Sequence, residues 1–376
     1  MALPSEWRLA AFYFAHFAWG GIFVAYFPLY LAGRAFSPLE IAWVLALPQV
    51  ARTLAPPAWG WLADRTGALR GIVVFSCLVS AVGYALIHFS DSFLSVALLV
   101  AVLSLLSAGA LPLVEALTLG TLARDPGRYG PIRLWGSLGF IATLLGGGAW
   151  LDRYPVSTVP AAIATFCLAA FAVALVLPGA RSSTRHEYEP LKITPVVALL
   201  LGAGFCMAVA HGTMYAFLSL HLEQQGYSGT AIGVLWTLGV VAEIFVFVAL
   251  PALFRRFGLA SILAFSFACA VVRFLAIGWL AHALWIIVVA QLLHAATFGA
   301  FHAASVAAVH RVFAVSAHAR GQTLYSGVTY GAGGAVGALA AGWAWQAGGP
   351  GAAFTVSAIA GALGLLLAMS LKRLGL

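Results

Sequence analysis

The stretch that decides the fold reads FLSVALLVAVLSLLSAGALPLVEALTLGTL, residues 93–122, and Glu115 is its only charged residue. About 20 apolar residues in a helix span the roughly 30 Å of hydrocarbon in a bilayer. A charged side chain at the centre of such a helix costs about 2.5–3.5 kcal/mol on insertion scales. Membrane proteins keep such residues where they face protein or a polar cavity, so Glu115 is a candidate functional residue.

The rest of the chain has the same apolar character. Hydrophobic residues make up 63% of its 376 residues and charged residues 8%, whereas an average soluble domain is about a quarter charged. Backbone groups in lipid must be satisfied within the membrane, and these apolar runs are too long for barrel strands. The sequence therefore predicts an all-α membrane protein with no room for an extramembrane domain. We expect twelve transmembrane spans, at residues 9–32, 38–62, 71–89, 93–119, 132–151, 157–178, 195–221, 229–254, 259–281, 284–308, 320–346 and 352–371.

The distribution of Lys and Arg predicts the topology. If both termini lie on one side, 15 of the 19 basic residues fall on that side. The positive-inside rule then places both termini in the cytoplasm. Orientation accounts for the net charge of +8, which therefore requires no nucleic-acid partner. We expect a multi-pass protein of a bacterial inner membrane, in contact with membrane lipids and monomeric.

A polar stretch near the midpoint divides the chain. The residues PGARSSTRHEYEPLK, 178–192, read as a cytoplasmic linker. Arg65 and Arg256 lie in similar loops after spans 2 and 8, and they are 191 residues apart (256 − 65), about half the chain. Two parallel six-helix halves with a substrate site near the midplane are a transporter architecture. We predict an N-terminal half at residues 1–178, a linker at 179–194 and a C-terminal half at 195–376.

The loop between spans 2 and 3 carries the sharpest local motif. Residues 60–70 read GWLADRTGALR and fit the pattern G-x-L-A-D-R-x-G-x-x-R. Glycine permits tight turns and close helix approach, and an aspartate can bind a helix N-terminus or an arginine in one conformation and release it in another. The alternative is a charged loop that only sets the topology. The pattern resembles a loop of the major facilitator superfamily, and this resemblance implies a conformational gating role for Gly60, Asp64, Arg65, Gly67 and Arg70.

Longer segments extend the resemblance over nearly the whole chain. They are YGPIRLWGSLGF (129–140), HGTMYAFLSLHLEQQGYS (211–228), GVLWTLGVVAEIF (233–245) and LLHAATFGAFH (292–302). These segments resemble the phenylpropionic acid transporter group, which lies in the superfamily near the oligosaccharide–proton symporters. The resemblance implies two halves that rock about a central substrate site.

Four charged or polar residues match the lactose permease-type symporters in particular. Glu115 and Arg133 fall where those symporters have a Glu–Arg pair. Arg273 and His294 fall where they have an Arg and a His. One difference is important, because those symporters have an acid one turn after the His and this chain has Thr297 there. Their proton site is therefore not carried over intact.

Charged residues deep in the spans form the candidate site. Arg52 lies 12 residues before Asp64, Glu243 lies 12 before Arg255, and Arg273 lies about 14 residues into span 9. At 1.5 Å per residue, these separations correspond to roughly 18–21 Å along the helices. Opposite charges at one depth predict ion pairing across a polar cavity. The alternative is a salt-bridge network that only holds the bundle together.

Glu115 and Arg133 are predicted to form a pair that faces the central cavity. They stand on consecutive antiparallel spans joined by a short loop, which would bring them to a similar depth. Pairing would offset the cost of burying each charge. On spacing alone, a structural pair that anchors the loop at the interface is an equal possibility, and the resemblance favours a site.

Histidines and aromatic residues extend the candidate cavity. The residues His294, Thr297, Phe298, Phe301 and His302 share one helical face. Such a face suits the wall of a cavity for an aromatic or amphipathic solute, and histidines eight residues apart on one helix do not suggest a metal site. His211 with Tyr215, and His16 with Gly20, are each one turn apart. They either line the site or form hydrogen bonds between helices.

The residues and the resemblance together imply a proton-coupled secondary transporter of a small organic solute, with an aromatic carboxylate as the first choice. Arginine's planar fork suits bidentate capture of a carboxylate, and burial disfavours the charged form of a carboxyl group, so that it can take up a proton. No nucleotide-binding loop is present, so we expect no cofactor and a proton gradient as the energy source. The predicted proton carriers are Glu243, Glu115 and His294. The predicted substrate ligands are Arg52, Glu115, Arg133, His211, Tyr215, Arg273, His294 and His302.

Other functions remain open from the sequence. Within the transporter class, the alternatives are a sugar or nucleoside symporter and a drug–proton antiporter. A receptor would bind its ligand without flux. A membrane-embedded enzyme should show a clustered nucleophile–base pair or metal-ligand set, and none is evident, so we do not expect an enzyme.

The topology can be tested directly. Tags fused at Met1 and Leu376 should be inaccessible to a membrane-impermeant label in intact cells and accessible after the cells are lysed, because the basic loops place both termini in the cytoplasm. Labelling of either tag from outside would overturn the topology and, with it, the predicted half-repeat.

Overall fold

A computed structural model describes residues 5–122, 126–179, 191–314 and 317–376. These residues are almost entirely helical and contain no β-strand, which confirms the predicted all-α class. The α-helices are α1 (Ser5–Gly33), α2 (Pro38–Thr66), α3 (Leu69–His88), α4 (Phe93–Ser107), α5 (Ala110–Thr121), α6 (Tyr129–Leu151), α7 (Val159–Ala174), α8 (Pro195–Gln224), α9 (Gly229–Arg256), α10 (Leu259–Leu280), α11 (Leu284–Leu292), α12 (Phe301–Val312), α13 (His318–Ser326) and α14 (Gly334–Arg373). Two π-helices, Ala295–Ala300 and Gly327–Gly333, and two short 3₁₀ turns, Pro126–Arg128 and Val156–Thr158, complete the set.

The helices account for the predicted spans. Ten helical stretches within the described residues are long and apolar enough to cross a membrane. α2 is a further helix of 29 residues. The last stretch, His318–Arg373, contains two crossings, because Gly348 and Gly349 have non-helical backbone angles and Pro350 follows them. Counting α2 and both parts of the last stretch gives the twelve predicted crossings.

The outer surface suits lipid. Large apolar side chains such as Trp61, Phe245 and Trp343 are exposed over most of their area. A soluble monomer rarely exposes large contiguous apolar patches, whereas lipid tails solvate such side chains. The exposed residues therefore agree with the membrane assignment made from the sequence.

Contacts divide the described residues into two compact units. Unit 1 contains those among residues 1–36, 54–186 and 228–233, and unit 2 contains those among 37–53, 187–227 and 234–376. In unit 1, α1 packs on α6 and α7, and α3 packs on α4, α5 and α7. In unit 2, α8 and α10 both pack on α14. The predicted boundaries of the halves stay a prediction, and most of the predicted linker, residues 180–190, lies outside the described residues.

The loop between α2 and α3 requires a glycine. Gly67 has φ +66°, and its N–H donates to the carbonyl of Ala63 at 2.8 Å, which ends α2. This left-handed conformation costs little only for glycine. Gly60 and Asp64 line a cavity of about 300 Å³ in unit 1, and Arg70 donates to a backbone carbonyl beyond α7. The gating role of these residues and of Arg65, which lies 5.3 Å from the centre of the Trp61 ring, stays a prediction.

Asp152 caps the N-terminus of α9. Its carboxylate accepts the N–H of Gly229 at 2.6 Å, the N–H of Thr230 at 3.0 Å and the Thr230 hydroxyl at 2.5 Å. A carboxylate at this end of a helix satisfies free N–H groups and complements the helix dipole. These hydrogen bonds, the Thr230 hydroxyl above all, hold the pKa of Asp152 below its ordinary value, so the cap is charged throughout the physiological pH range.

The predicted fourth span is broken into α4 and α5. A break frees backbone carbonyls, which must find other donors when they are buried. The Trp59 indole N–H donates to the carbonyl of Leu105 at 2.9 Å, and the Ser76 hydroxyl donates to that of Leu106 at 3.1 Å. Gly109 lies at the break, where an added Cβ would be only 2.7 Å from Trp59 Cγ. The break is therefore packed and hydrogen-bonded from α2 and α3.

Gly109→Ala should destabilise the protein, because the new methyl group would displace the Trp59 ring that holds the break. Overpacking of this kind costs about 1–3 kcal/mol. Thermal unfolding of the purified protein in detergent would show it as a lower melting temperature. Gly120→Ala on α5 is the matched control, since nothing lies within 4 Å of its Cβ position. Equal melting temperatures for the two variants would contradict the role of the Trp59 contact.

Candidate functional site

Arg273 is the centre of a buried polar network in unit 2. It lies in α10, and none of its surface is exposed. All five of its N–H bonds find acceptors in the protein. The acceptors are the Ala290 carbonyl for Nε (2.7 Å), His294 Nδ1 (3.0 Å) and Thr297 Oγ1 (2.9 Å) for Nη1, and Gln291 Oε1 (2.9 Å) and Met214 Sδ (3.0 Å) for Nη2. Arg273 therefore has no donor left for the bidentate capture of a substrate carboxylate in this conformation.

The contacts of His294 assign the protons on its ring. A guanidinium group can only donate, so His294 Nδ1 must accept and the neutral ring must carry its proton on Nε2. This Nε2 lies 2.7 Å from Glu243 Oε1 and donates to it. The side chains of His294 and Glu243 are only 7% and 13% exposed. Arg273, His294 and Glu243 thus form a chain that runs from a cation through a neutral ring to a carboxylate.

His211 and Thr297 complete the network. His211 Nδ1 lies 3.0 Å from the carbonyl of Met207, one turn earlier on α8. That carbonyl can only accept, so Nδ1 carries the proton and Nε2 is an acceptor. The Thr297 hydroxyl lies 3.3 Å from this Nε2 and accepts from Arg273. The position at which the resembling symporters have an acid is thus filled by a hydroxyl that bridges Arg273 and His211.

Two local features bring Glu243 and His294 together. The π-helix Ala295–Ala300 follows His294 directly, and such wide turns are rare and concentrate at functional sites. An added Cβ at Gly239 would lie 3.2 Å from His294 Cδ2, and one at Gly299 would lie 3.5 Å from Glu243 Cγ. A side chain at Gly239 would be tight against His294, so this glycine helps α9 to approach His294 closely, whereas the distance at Gly299 is an ordinary contact.

Aromatic and polar side chains continue from this network along α8 and α12. Phe298 stacks between His294 and His302, with ring centroids 5.4 and 6.1 Å apart. His302 Nδ1 lies 2.7 Å from the Tyr330 hydroxyl. On α8, Tyr215 stacks on a tryptophan of α9 at 6.3 Å. The arrangement offers flat ring faces beside hydrogen-bonding groups.

Arg52 has an environment opposite to that of Arg273. Its side chain is exposed in the middle of α2, and within the described residues it makes no ion pair or hydrogen bond. The adjacent Thr53 hydroxyl donates to the carbonyl of Gly327 at 3.4 Å, at the start of the second π-helix. Arg52 also lies within electrostatic range of Tyr215 and Tyr330. An unpaired cation therefore stands beside the aromatic groups of unit 2.

The predicted ion pair between Glu115 and Arg133 is not formed. No carboxylate oxygen of the described residues lies within 4 Å of the Arg133 guanidinium. Arg133 instead lies over the ring of Phe17, 4.0 Å from its centre, and 5.4 Å from that of Tyr13. The negative face of an aromatic ring attracts a cation, and this contact replaces the ion pair. Both charged residues are half-buried in unit 1.

The structure thus groups some of the predicted residues and separates others. Arg273, His294, Glu243 and His211 form one network, with Tyr215, His302 and Arg52 nearby in unit 2. Glu115, Arg133 and His16 belong to unit 1, where His16 lines a cavity of about 20 Å³ with Ser76 and Ser80. Sequence analysis missed Gln291, Met214 and Tyr330. Gln291 was detectable as a polar residue in an apolar run one turn before His294, whereas nothing in the sequence around Tyr330 indicated its partner.

Comparisons with known proteins identify relatives of the chain. It is 29% identical to the probable 3-phenylpropionic acid transporter of Escherichia coli (strain K12), over 92% of this chain and 93% of that protein. It is 28% identical to the maltose permease of Geobacillus stearothermophilus, over 99% of this chain and 98% of that protein.

The fold and the family assignment agree with these relatives. The crystal structure of the nucleoside transporter NupG matches with a TM-score of 0.84 at 15% identity, over 99% of both chains. A model of the MFS_1 like family matches residues 6–356. The chain therefore belongs to the MFS_1 like family and is a multi-pass secondary transporter of the major facilitator superfamily, not an enzyme.

Proposed function

We propose that this transporter couples the uptake of a small aromatic carboxylate to the entry of protons. The observation that supports it best is the contact of Glu243 with a neutral histidine. A carboxylate paired directly with an arginine in a membrane would resist protonation, because its neutral form would leave a buried charge without a partner. Here His294 stands between Glu243 and Arg273, and the cation keeps its five neutral acceptors whether or not Glu243 carries a proton.

The charges of unit 2 account for the coupling. In the empty site, ionised Glu243 balances Arg273, and Arg52 leaves one positive charge. When a carboxylate substrate and one proton bind together, the substrate replaces the negative charge that Glu243 loses. The net charge of the site is then the same empty and loaded. Either species alone would change it, which is unfavourable in a medium of low dielectric, so we infer that they bind together.

Arg52 is the residue that we assign to the substrate carboxylate. Arg273 has no free donor, whereas Arg52 is exposed and unpaired within the described part of unit 2. A guanidinium group presents two parallel N–H donors that match the two oxygens of a carboxylate. Arg273 then acts through His294 and holds the ring in the orientation that Glu243 requires. The sequence analysis assigned Arg52, Arg133 and Arg273 to substrate binding, and this division of roles changes that expectation for Arg273.

Two observations support an aromatic substrate: the flat ring faces of side chains in unit 2 and the name of one relative. Tyr215, Phe298 and His302 offer flat surfaces within the same unit as Arg52, and offset or edge-on ring contacts are worth about 0.5–1.5 kcal/mol each beyond their buried area. The name of the phenylpropionic acid transporter relative supports an aromatic acid. The maltose permease relative and the nucleoside transporter structure support the alternative of a neutral sugar or nucleoside. The unpaired Arg52 favours the acid.

Arg52→Gln should reduce uptake of 3-phenylpropionate into proteoliposomes by about tenfold or more, since a hydrogen bond to a charged group is worth about 1.5–3 kcal/mol. Arg52→Lys should keep part of the activity, because it retains the charge but not the fork. Arg34→Gln, which removes an arginine paired with Asp91 in unit 1, is the matched control and should transport normally. Normal uptake by Arg52→Gln would show that the carboxylate binds elsewhere, and selective uptake of sugars or nucleosides by the unmodified protein would overturn the acid assignment.

Glu243→Gln should abolish accumulation driven by a pH gradient and leave substrate exchange intact. The glutamine oxygen can still accept from His294 Nε2, so the network is kept, but the side chain cannot carry a proton. Accumulation and counterflow of labelled substrate would be measured in the same proteoliposomes. Accumulation at the normal rate would remove Glu243 as the proton carrier, and loss of both activities would indicate a structural role.

A further inference from the structure

Three hydroxyl groups in unit 2 are buried beside one another, and none of them makes a hydrogen bond of normal geometry. Ser305 and Tyr325 are 0% exposed and Thr329 is 1% exposed. Within the described residues, none of their oxygen atoms has a hydrogen-bond partner at normal distance and angle. Leaving a buried polar group unsatisfied costs about 1–3 kcal/mol, and native proteins contain few such groups. Three of them in one region make this cluster a candidate for a further role.

The three hydroxyls form one cluster. Gly204 on α8 faces two of them, because a Cβ added there would overlap Thr329 Oγ1 and would lie 2.7 Å from the Tyr325 ring. The Ser305 and Thr329 hydroxyls are the hydrogen-bonding neighbours of the Tyr325 phenol, so the three groups lie next to one another. The cluster therefore joins α8, α12, α13 and the second π-helix, and the glycine allows α8 to pack directly against it.

The cluster lies between the proposed transport site and one end of the helices. Thr329 is adjacent to Tyr330, whose hydroxyl is 2.7 Å from His302 Nδ1, and the rings of Tyr325 and Tyr330 are 6.4 Å apart. Ser305 lies seven residues before the end of α12 and Tyr325 seven residues after the start of α13 (312 − 305 and 325 − 318). At 1.5 Å per residue both are roughly 10 Å from those ends, which carry the basic residues of the predicted cytoplasmic side.

The polar groups can be ordered from the site outward, and Glu243 lies within electrostatic range of His302. Gly299 packs on Glu243, and His302 follows it by three residues on the same helical stretch. His302 contacts Tyr330, and the hydroxyl cluster lies one turn further out. Gln322, one turn before Tyr325, contributes another buried acceptor without a partner, its Oε1. Polar groups thus recur along α12 and the second π-helix between Glu243 and the basic helix ends.

We propose that Thr329, Tyr325 and Ser305 form the route by which the proton leaves Glu243 for the predicted cytoplasmic side. The proposal rests on the proposed proton coupling. Glu243 gives its proton to His302 Nε2, and the ring releases its other proton from Nδ1 to the Tyr330 oxygen. Each hydroxyl then accepts one proton and passes on its own, since a hydroxyl both donates and accepts. Tyr325 lies beside both Ser305 and Thr329 and can hand the proton from one to the other. Glu243 ends ionised, His302 and the hydroxyls end neutral, the His302 ring carries its proton on Nε2, and one proton has moved.

The variants Tyr325→Phe and Thr329→Val, singly and combined, test the route in proteoliposomes with labelled 3-phenylpropionate. Net uptake driven by a pH gradient requires the proton to leave, whereas counterflow exchanges substrate without net proton release. We expect net uptake by the double variant to fall about tenfold, as when proton release becomes rate-limiting, with counterflow as in the unmodified protein. Thr329→Ser keeps the hydroxyl and should keep normal net uptake. Tyr30→Phe, which removes a buried hydroxyl from unit 1, is the matched control.

The outcomes separate the route from the coupling itself. Normal net uptake by the double variant would overturn the route. An equal loss of net uptake and counterflow would also overturn it, because it would mean that the hydroxyls only support packing. If net uptake by the unmodified protein does not depend on the pH gradient, the proposed proton coupling is overturned, and the route with it.

Discussion

The burial of one guanidinium group, that of Arg273, is the constraint on which unit 2 depends. Removing an ion from water costs several kcal/mol even after relaxation, and an arginine has five N–H groups to satisfy. Its acceptors come from α8, from α11 and from the residues at the first π-helix. These elements must therefore keep one register around α10. A rotation of any of them by one residue would leave a buried donor without an acceptor.

The same constraint separates two arginines that are alike in the sequence. Arg52 and Arg273 both lie deep in apolar spans, and depth alone makes each a candidate ligand. Burial separates their roles. The Arg273 guanidinium has five acceptors and is held as part of the structure, whereas the exposed Arg52 guanidinium is available to a ligand. Thr297 shows the same effect, since its hydroxyl serves Arg273 and His211 and does not replace a proton-carrying acid.

Irregular backbone coincides with the polar residues. The break between α4 and α5 is held by Trp59 and Ser76, and the two π-helices adjoin His294 and contain Tyr330. Non-helical backbone at membrane depth is tolerated only where protein or a polar cavity satisfies it. These irregularities change which side of a helix its side chains face, and so they decide which polar groups meet.

The sequence by itself determined the class, the spans, the depth of the charged residues and the superfamily, because apolar run length and short motifs are local properties. It also placed Glu243, Arg273 and His294 in one candidate site. It did not determine that Arg273 is saturated, that Arg52 is unpaired within the described residues, or that Arg133 lies on Phe17 instead of pairing with Glu115. Those contacts depend on how each helix is rotated about its axis. Close helix packing at glycines and the extra residue in each π-helical turn set that rotation. Only the tertiary structure shows their combined effect.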